Sequence, residues 1–350
     1  MIEDTHVSLA HGNGGRLMRA LIEEVFARHL SAPALDPALD PALDTTLDTG
    51  ADAVPVALPP GEIVVTTDGF TVQPLSFPGG DIGALAVHGT VNDLAVAGAR
   101  PLYLTLAALI EEGLEIARLE SIVASLAGAA RAAGVRVVAG DTKVLPRGQG
   151  GGIYLALTGI GVRPPGCGLG LGRIETGDAV LVSGPVGDHG IAVMLAREEF
   201  GLSGDVVSDA ASVLPLTAAI AVLPGLRFMR DPTRGGLATV AHEIARGAGR
   251  AVELDEAAIP VRGTTRAVCD MLGYDPLYLA SEGRVVAVAA PAAASAILAA
   301  WRALPEGEGA AIIGAIGAAA PADAPVLLRT RIGGARTLPE LESDPLPRIC

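Results

Sequence analysis

Hydrophobic and polar residues follow two different periods along the chain, one typical of helices and one typical of strands. Residues 16–30 repeat apolar positions every three or four residues, which predicts an amphipathic helix. From residue 62 onward, short apolar runs alternate with longer helical patterns, and this order predicts an α/β to α+β protein. The predicted strands are 62–68, 101–109, 135–143, 152–162, 179–184, 226–231 and 284–290, and the clearest predicted helices are 80–99 and 114–134.

Breaks in these patterns predict two domains, since 350 residues are enough for two hydrophobic cores. A stretch rich in Pro and Gly separates a first domain, 1–163, from a second, 174–337. The remaining residues, 338–350, are polar and rich in proline, and we expect them to form a flexible tail. The segment 33–51 contains a Pro-Ala-Leu-Asp repeat, in which a proline at every fourth residue forbids a regular helix. We interpret it as a surface insertion without chemistry.

Composition and charge narrow the possible functions. The net charge of −14 argues against a general affinity for nucleic acid or for an anionic membrane. No basic, apolar leader begins the chain, and the longest uncharged apolar stretch, 285–301, contains a proline, so we expect no membrane span. The three cysteines show no paired spacing, which favours a reduced, cytoplasmic protein.

The last residue, Cys350, is a cysteine in a chain that has only three. One interpretation is an incidental thiol on a frayed terminus. The other is a reactive group carried on a tether, and the rest of the sequence has to decide between the two.

Carboxylates follow several of the predicted strands. Asp68, Asp141 and Asp231 each end a strand, and Asp93 lies in the helix predicted at 80–99. Any one of them is more often a turn former, because Asp is common in turns. Together, and without Cys or His in a ligand spacing, they suit a hard cation such as Mg²⁺, which usually bridges to substrate phosphates.

The helix predicted at 80–99 also carries a polar stripe. Asp81, His88 and Asn92 fall close to one line on its surface, at about 100° per residue. The stripe either faces water or, if the helix covers the sheet, lines a cleft.

Glycine-rich turns offer candidate phosphate sites, although neither a G-x-x-x-x-G-K-[ST] loop nor a G-x-G-x-x-G turn occurs. The segment "HGNGGR", 11–16, places glycines directly before the first helix, where free amides favour an anion. In "GDTK", 140–143, Lys143 sets a cation beside Asp141. With "DPTRGG", 231–236, these turns indicate a Mg·ATP site outside the P-loop class.

The motifs "TTD", "GDIGALAVHGTVNDLAVAGARP", "GDTK" and "DPTRGG" resemble the ATP-binding superfamily of aminoimidazole ribonucleotide synthetase, selenophosphate synthetase and thiamine-monophosphate kinase. Within it, "HGNGG", "FPGGDIG", "ASEG" and the terminal "PRIC" resemble the hydrogenase maturation family HypE. The resemblance spans nearly the whole chain, and the insertion at 33–51 falls between its motifs.

The resemblance implies an aminoimidazole ribonucleotide synthetase-like fold, forming a homodimer whose N-terminal sheets share a barrel-like core. It also implies a carbamoyl dehydratase with ATP and Mg²⁺. The carbamoyltransferase HypF would carbamoylate the Cys350 thiol, ATP would drive its dehydration to a thiocyanate, and the cyano group would pass to the HypC–HypD complex. It assigns Cys350, Lys143 and Glu282 as catalytic residues, Asp68, Asp93, Asp141 and Asp231 as metal ligands, and His11, Gly12, Asn13, Gly14, Gly15, Asp81, Asn92 and Thr142 as nucleotide-binding residues.

Two alternatives stay open at this point. Another enzyme of the superfamily, acting on a small free substrate, would turn over without Cys350. A non-catalytic carrier that binds ATP and displays its tail would not need Glu282.

Overall fold

A computed structural model describes residues 2–31, 49, 51, 53–197, 204–319, 325–342 and 349–350. Nearly all of the predicted insertion, and residues 343–348 of the predicted tail, lie outside the described residues. The helices are α1 (Arg16–Leu21), a π-helical stretch (Ile22–Ala27), α2 (Arg28–Leu30), α3 (Ile82–Val96), α4 (Ile116–Ala132), α5 (Asp188–Ala196), α6 (Leu214–Ala221), α7 (Gly236–Ala248), α8 (Gly263–Leu272) and α9 (Pro291–Arg302). The strands are β1 (Glu62–Phe70), β2 (Ser76–Phe77), β3 (Gly80–Asp81), β4 (Arg100–Glu111), β5 (Arg136–Leu145), β6 (Ile153–Arg163), β7 (Ala179–Val182), β8 (Leu226–Arg230), β9 (Arg250–Asp255), β10 (Val286–Ala289), β11 (Ala311–Ala319), β12 (Val326–Arg329) and β13 (Ala335–Thr337).

The first domain is a four-stranded sheet with helices on one face. The strand order is β1-β6-β4-β5; β4 and β5 run parallel, and the other neighbours run antiparallel. The helix α4 is amphipathic, and it buries Leu119, Ile122 and Leu126 against the domain core. The other face of the sheet is partly exposed, and at its edge Ile63 and Val65 are 60% and 59% exposed.

The helix α3 is buried on nearly all sides, because it lies between the sheet, α4 and the second domain. Within its polar stripe, Asn92 therefore does not face water, whereas Asp81 and His88 are half-buried. Asn92 is 1% exposed, and its side chain bonds to backbone atoms of the second domain. Of the two alternatives for this stripe, the contacts favour an interior position between the domains.

The second domain is a seven-stranded sheet, in the order β13-β12-β9-β11-β7-β10-β8, with helices on both faces. Apolar residues of α7 pack on one face, and those of α6 and α9 pack on the other. The helices α5 and α8 instead contribute Ile191, Met194 and Val268 to the core of the first domain. This shared core fixes the two domains against each other and defines the cleft between them.

The root of the tail is held in place. Leu338 is fully buried, and its carbonyl accepts a hydrogen bond of 3.0 Å from His242 Nε2. The Tyr278 hydroxyl donates to the carbonyl of Pro339 at 2.7 Å. The chain is buried again at Ile349, which packs into the core of the first domain. None of the helices described above combines the length and apolar character needed to cross a bilayer.

Candidate active site

A cavity of 430 Å³ lies where the two domains meet, and Cys350 is part of its wall. The first domain supplies the end of β1 and one side of α3, and the second domain supplies the end of β8 and the loop that leads into α7. The charged residues around the cavity are Asp68, Asp93, Asp231, Glu243, Glu282, Glu340, Arg230 and Arg234.

Three of the four carboxylates predicted to bind the metal ion lie around this cavity. Asp68 lies on β1, Asp93 lies on α3 with a 2.6 Å hydrogen bond from the Thr66 hydroxyl, and Asp231 follows β8 directly. Burial, and then the negative charge of Asp93, raise the pKa of Asp231 to about 7. The same two causes, in the same order, raise the pKa of Asp68 to about 6. Such a cluster favours a bound cation or protons.

The donor set suits Mg²⁺ held jointly with a nucleotide. Within the described ranges, no three His, Cys, Asp or Glu side chains are close enough to enclose a metal ion unaided. Magnesium, however, usually keeps several waters and bridges one or two carboxylates to substrate phosphates. Asp68, Asp93 and Asp231 offer hard oxygen ligands for that arrangement.

Hydrogen bonds of its backbone groups hold Glu282 in the cavity. Its amide donates to Asp209 Oδ1 at 3.1 Å, and its carbonyl accepts from Asn92 Nδ2 at 3.1 Å. The next residue is Gly283, where an added Cβ would lie 1.9 Å from the Asp209 carbonyl oxygen, so the loop requires glycine.

The Glu282 carboxyl is buried at 2% exposure, and its Oε1 has no hydrogen-bond partner among the described residues. Burial, and then the nearby Asp231 and Asp209, raise its pKa well above the usual range. A raised pKa makes the ionised carboxyl a stronger base than an exposed glutamate.

Cys350 is docked with its thiol in the cavity. Its backbone oxygen accepts hydrogen bonds from the Thr71 amide at 3.0 Å and from the Thr71 hydroxyl at 3.1 Å. Arg234 Nη2 lies 3.9 Å from the Sγ atom. Burial, and then the charge of Glu282, raise the pKa of the thiol to about 12, so the docked sulfur is protonated at neutral pH.

Lys143 and Asp141 lie on the opposite face of the sheet from this cavity. Strand pairing places Asp68 and Gly140 in the same row across the sheet, and both positions face the same side of it. Asp141 and Lys143 follow by one and three residues, so they point the other way. The two strands are separated by about 14 Å, three strand spacings. Lys143 Nζ and Asp141 Oδ2 form an exposed ion pair of 2.9 Å.

The predicted phosphate loop, His11 to Gly15, also lies apart from the cavity lining. Gly12 packs on β5, where an added Cβ would lie 2.9 Å from Cβ of Val144. His11 is fully buried, and its Nδ1 is bonded to Ser8. Its contact with nucleotide, and those of Gly12, Asn13, Gly14 and Gly15, stay predictions.

The other predicted nucleotide residues have clear local partners. The Asp81 carboxylate caps α3 by accepting from the Ala84 amide at 2.9 Å. Thr142 is buried within β5 at 6% exposure. Asn92 uses both its donor and its acceptor on backbone groups, at Ala211, Glu282 and Val213. Their proposed nucleotide contacts likewise stay predictions. The hydrogen bonds of Asn92 link the two domains.

Two residues of the site were not singled out by the sequence. Arg234 belongs to the "DPTRGG" turn, so its motif was recognised while its contact with the thiol was not. Thr71 follows β1 in an unremarkable stretch, and no sequence signal marks it as the residue that holds the backbone of Cys350.

The comparisons with known proteins agree with this architecture. Residues 50–163 match the family model "AIR synthase related protein, N-terminal domain", and residues 175–322 match the corresponding C-terminal domain. The fold and the carboxylate-lined cleft thus define a two-domain protein of the AIR synthase related class.

Similar proteins narrow this class to one family. The carbamoyl dehydratase HypE of Rhodobacter capsulatus is 47% identical over 350 residues, which cover 100% of this chain and 99% of that protein. A crystal structure of the hydrogenase maturation protein HypE in complex with ATP superposes with a TM-score of 0.89 at 42% identity, covering 98% and 99% of the two chains. A HypE–HypF complex has a TM-score of 0.76 at 40% identity, covering 92% and 100%. The chain belongs to the HypE family, the carbamoyl dehydratases of hydrogenase maturation, as its motifs had indicated.

Proposed function

We propose that this enzyme uses ATP to dehydrate an S-carboxamide on its own Cys350 to an S-thiocyanate. The observation that supports this most directly is the position of the Cys350 sulfur inside the carboxylate-lined cavity, with a guanidinium 3.9 Å away. A group attached to that sulfur would extend into the same cavity as the phosphates of a nucleotide bound there.

The reaction balances through a phosphorylated intermediate. The carboxamide oxygen attacks the γ-phosphorus, ADP leaves, and the nitrogen loses one proton to give an imidate phosphate. Loss of the second proton expels phosphate and forms the carbon–nitrogen triple bond. The products are the thiocyanate, ADP and inorganic phosphate, so the oxygen of the lost water ends in the phosphate.

The residues of the cavity suit these steps. Glu282 is our candidate acceptor of the amide protons, because its carboxyl lines the same cavity as Cys350 and its raised pKa makes the ionised form a stronger base. Arg234 lies where it would stabilise negative charge on the carboxamide oxygen. Asp68, Asp93 and Asp231 would hold Mg²⁺, which supplies charge neutralisation for the transferring phosphoryl group.

In a homodimer, Lys143 of one chain would be able to reach the active site of the other. In one chain Lys143 points away from the cavity, towards the partly exposed face of the first sheet, whose edge carries Ile63 and Val65. Exposed apolar side chains on a sheet face favour a partner surface. We infer that two chains pack through this face, and that Lys143 and Asp141 of one chain act at the site of the other.

The tail must also leave the cavity during the cycle. The thiolate is the nucleophilic form of cysteine, and the docked thiol has a pKa of about 12. Carbamoylation therefore takes place on the undocked tail, and HypF is the proposed donor, in line with the similar HypE–HypF complex. The thiocyanate would then be presented to the HypC–HypD complex, in the cytoplasm.

The first experiment is a mass measurement on the C-terminal peptide. The protein is carbamoylated at Cys350 with HypF and carbamoyl phosphate, Mg·ATP is added, and the peptide is weighed over time. We expect the loss of one water's mass, dependent on ATP and absent in Cys350→Ser.

Other outcomes identify the alternatives. Binding or hydrolysis of ATP with an unchanged carboxamide would support a carrier. Phosphorylation of a small free substrate by Cys350→Ser would support another enzyme of the class.

A further inference from the structure

His189 lies in the first turn of α5 and is fully buried, yet the proposed chemistry does not use it. Its Nε2 lies 2.8 Å from the carbonyl oxygen of Ile349, next to the acceptor cysteine. On the other side of the ring, Nδ1 lies 2.8 Å from the Ser208 hydroxyl. The ring of Phe77 meets it edge-on, with the centroids 5.3 Å apart. The imidazole is thus fixed in place and bonded to the tail.

The hydrogen bonds also fix which ring nitrogen carries the proton. The carbonyl of Ile349 can only accept, so Nε2 must donate. Ser208 Oγ accepts from the Ala210 amide at 3.0 Å, and its own hydrogen is available to Nδ1. Burial keeps the imidazole neutral by lowering its pKa to about 4. A neutral ring with its proton on Nε2 satisfies all of these partners.

The docked end is held mainly through its backbone. His189 bonds to the carbonyl of Ile349, and Thr71 donates twice to the backbone oxygen of Cys350. These contacts do not depend on what the sulfur carries. The same dock would therefore accept a thiol, a carboxamide or a thiocyanate.

We propose that His189 is a positioning residue that docks the tail and so places the group on Cys350 in the cavity. This inference rests on the proposed function for its consequence in catalysis, but not for the docking itself. The plain alternative is a buried histidine that only joins α5 to the segment containing Ser208.

The test of docking measures the exposure of the Cys350 thiol. The free protein is pulsed with N-ethylmaleimide, and labelling of the C-terminal peptide is followed by mass spectrometry. His189→Phe keeps the ring and its contact with Phe77 but removes the donor. One lost hydrogen bond should raise the labelling rate of Cys350 about fivefold. Labelling of Cys167, which lies in the linker between the domains, should not change.

Two further variants separate docking from general loosening. Val193→Ala removes buried methyl groups from the same helix but leaves both hydrogen bonds of His189 in place, and it should leave the Cys350 labelling rate close to that of the wild type. Ser208→Ala removes the hydroxyl that holds Nδ1 and so loosens the imidazole, and it should raise the rate in the same direction as His189→Phe but by less. Ser208→Ala also keeps the test available if His189→Phe does not fold.

A single-turnover measurement tests the catalytic consequence. With the carboxamide already on Cys350, His189→Phe should slow formation of the thiocyanate by a smaller factor than it raises labelling, because the docked tail still predominates, while ATP affinity stays unchanged. His189→Gln, which restores an N–H donor, should recover part of the loss.

Each outcome decides whether His189 positions the tail or is only a structural residue. Equal labelling of Cys350 in wild type and in both His189→Phe and Ser208→Ala overturns the inference, as does equal acceleration by Val193→Ala. Absence of ATP-dependent water loss in the wild-type protein would refute the proposed function instead, and the labelling rates would still decide whether His189 docks the tail.

Discussion

At the residue scale, the surroundings of Asp231 disfavour the ionised form of its carboxyl. It follows β8 directly and is 5% exposed beside Asp93. Its pKa of about 7 lies above the usual value of 3.8, so the folded protein keeps this proton to a higher pH than the unfolded chain does. Between these two values, rising pH therefore lowers the free energy of unfolding.

Replacing this carboxyl should accordingly stabilise the fold in alkaline solution. We expect Asp231→Asn to raise the free energy of unfolding by about 2–4 kcal/mol at pH 8, since three pH units correspond to about 4 kcal/mol. The gain should shrink as the pH falls towards 4. Urea unfolding at pH 8 and pH 5, without nucleotide or Mg²⁺, measures both values. A variant that is less stable than wild type at pH 8 would contradict the argument.

Glu282 leads to a prediction about rate. Glu282→Gln keeps the size of the side chain but cannot accept a proton, so thiocyanate formation should slow by about 10²–10⁴-fold. ATP binding and carbamoylation of Cys350 should persist. The matched control is Glu243→Gln, which lines the same cavity but pairs with Arg230, and we expect its rate to stay close to wild type. Similar losses in the two variants would remove Glu282 from the chemistry.

At the element scale, α3 connects the domains through one amide group. The Asn92 side chain donates to the carbonyls of Ala211 and Glu282 and accepts from the Val213 amide, all within 3.1 Å. Asn92→Ala would leave these buried groups without partners, so we expect a loss of about 2–3 kcal/mol in the free energy of unfolding. Thiocyanate formation should also slow, because the carbonyl of Glu282 loses its anchor. Unfolding in urea and single-turnover kinetics test both effects, with Thr90→Val on the same helix as a control.

The sequence predicted these elements well but not the directions in which they face. Alternation identified β1 and β5 as strands, and the motifs brought Asp68, Asp93 and Asp231 to one cleft. Alternation alone cannot say which face of a sheet helices will cover, because that depends on packing distant in sequence. The grouping of Asp141 with the other carboxylates therefore could not be checked from the pattern, and in one chain it faces away from them.

At the scale of the whole molecule, the residues predicted for the site lie on both faces of the first sheet. If Lys143 acts across a dimer, two inactive variants should complement each other. Mixing Lys143→Ala with Cys350→Ala chains, after dissociation and reassociation, should restore about a quarter of wild-type activity, since half of the dimers are mixed and each carries one intact site. Each variant alone should be inactive. No recovery in a sample shown to contain mixed dimers would place Lys143 in the chemistry of its own chain or outside it.

The docked thiol has a consequence beyond catalysis. Peroxides and other oxidants attack cysteine mainly as the thiolate, and the pKa of about 12 leaves almost none of that form while the tail is in place. By keeping the thiol protonated, the cleft therefore also protects an idle enzyme. Between cycles, the one sulfur on which the whole proposed reaction depends is stored in a form that resists damage, and it becomes vulnerable only when the tail is released to meet a partner.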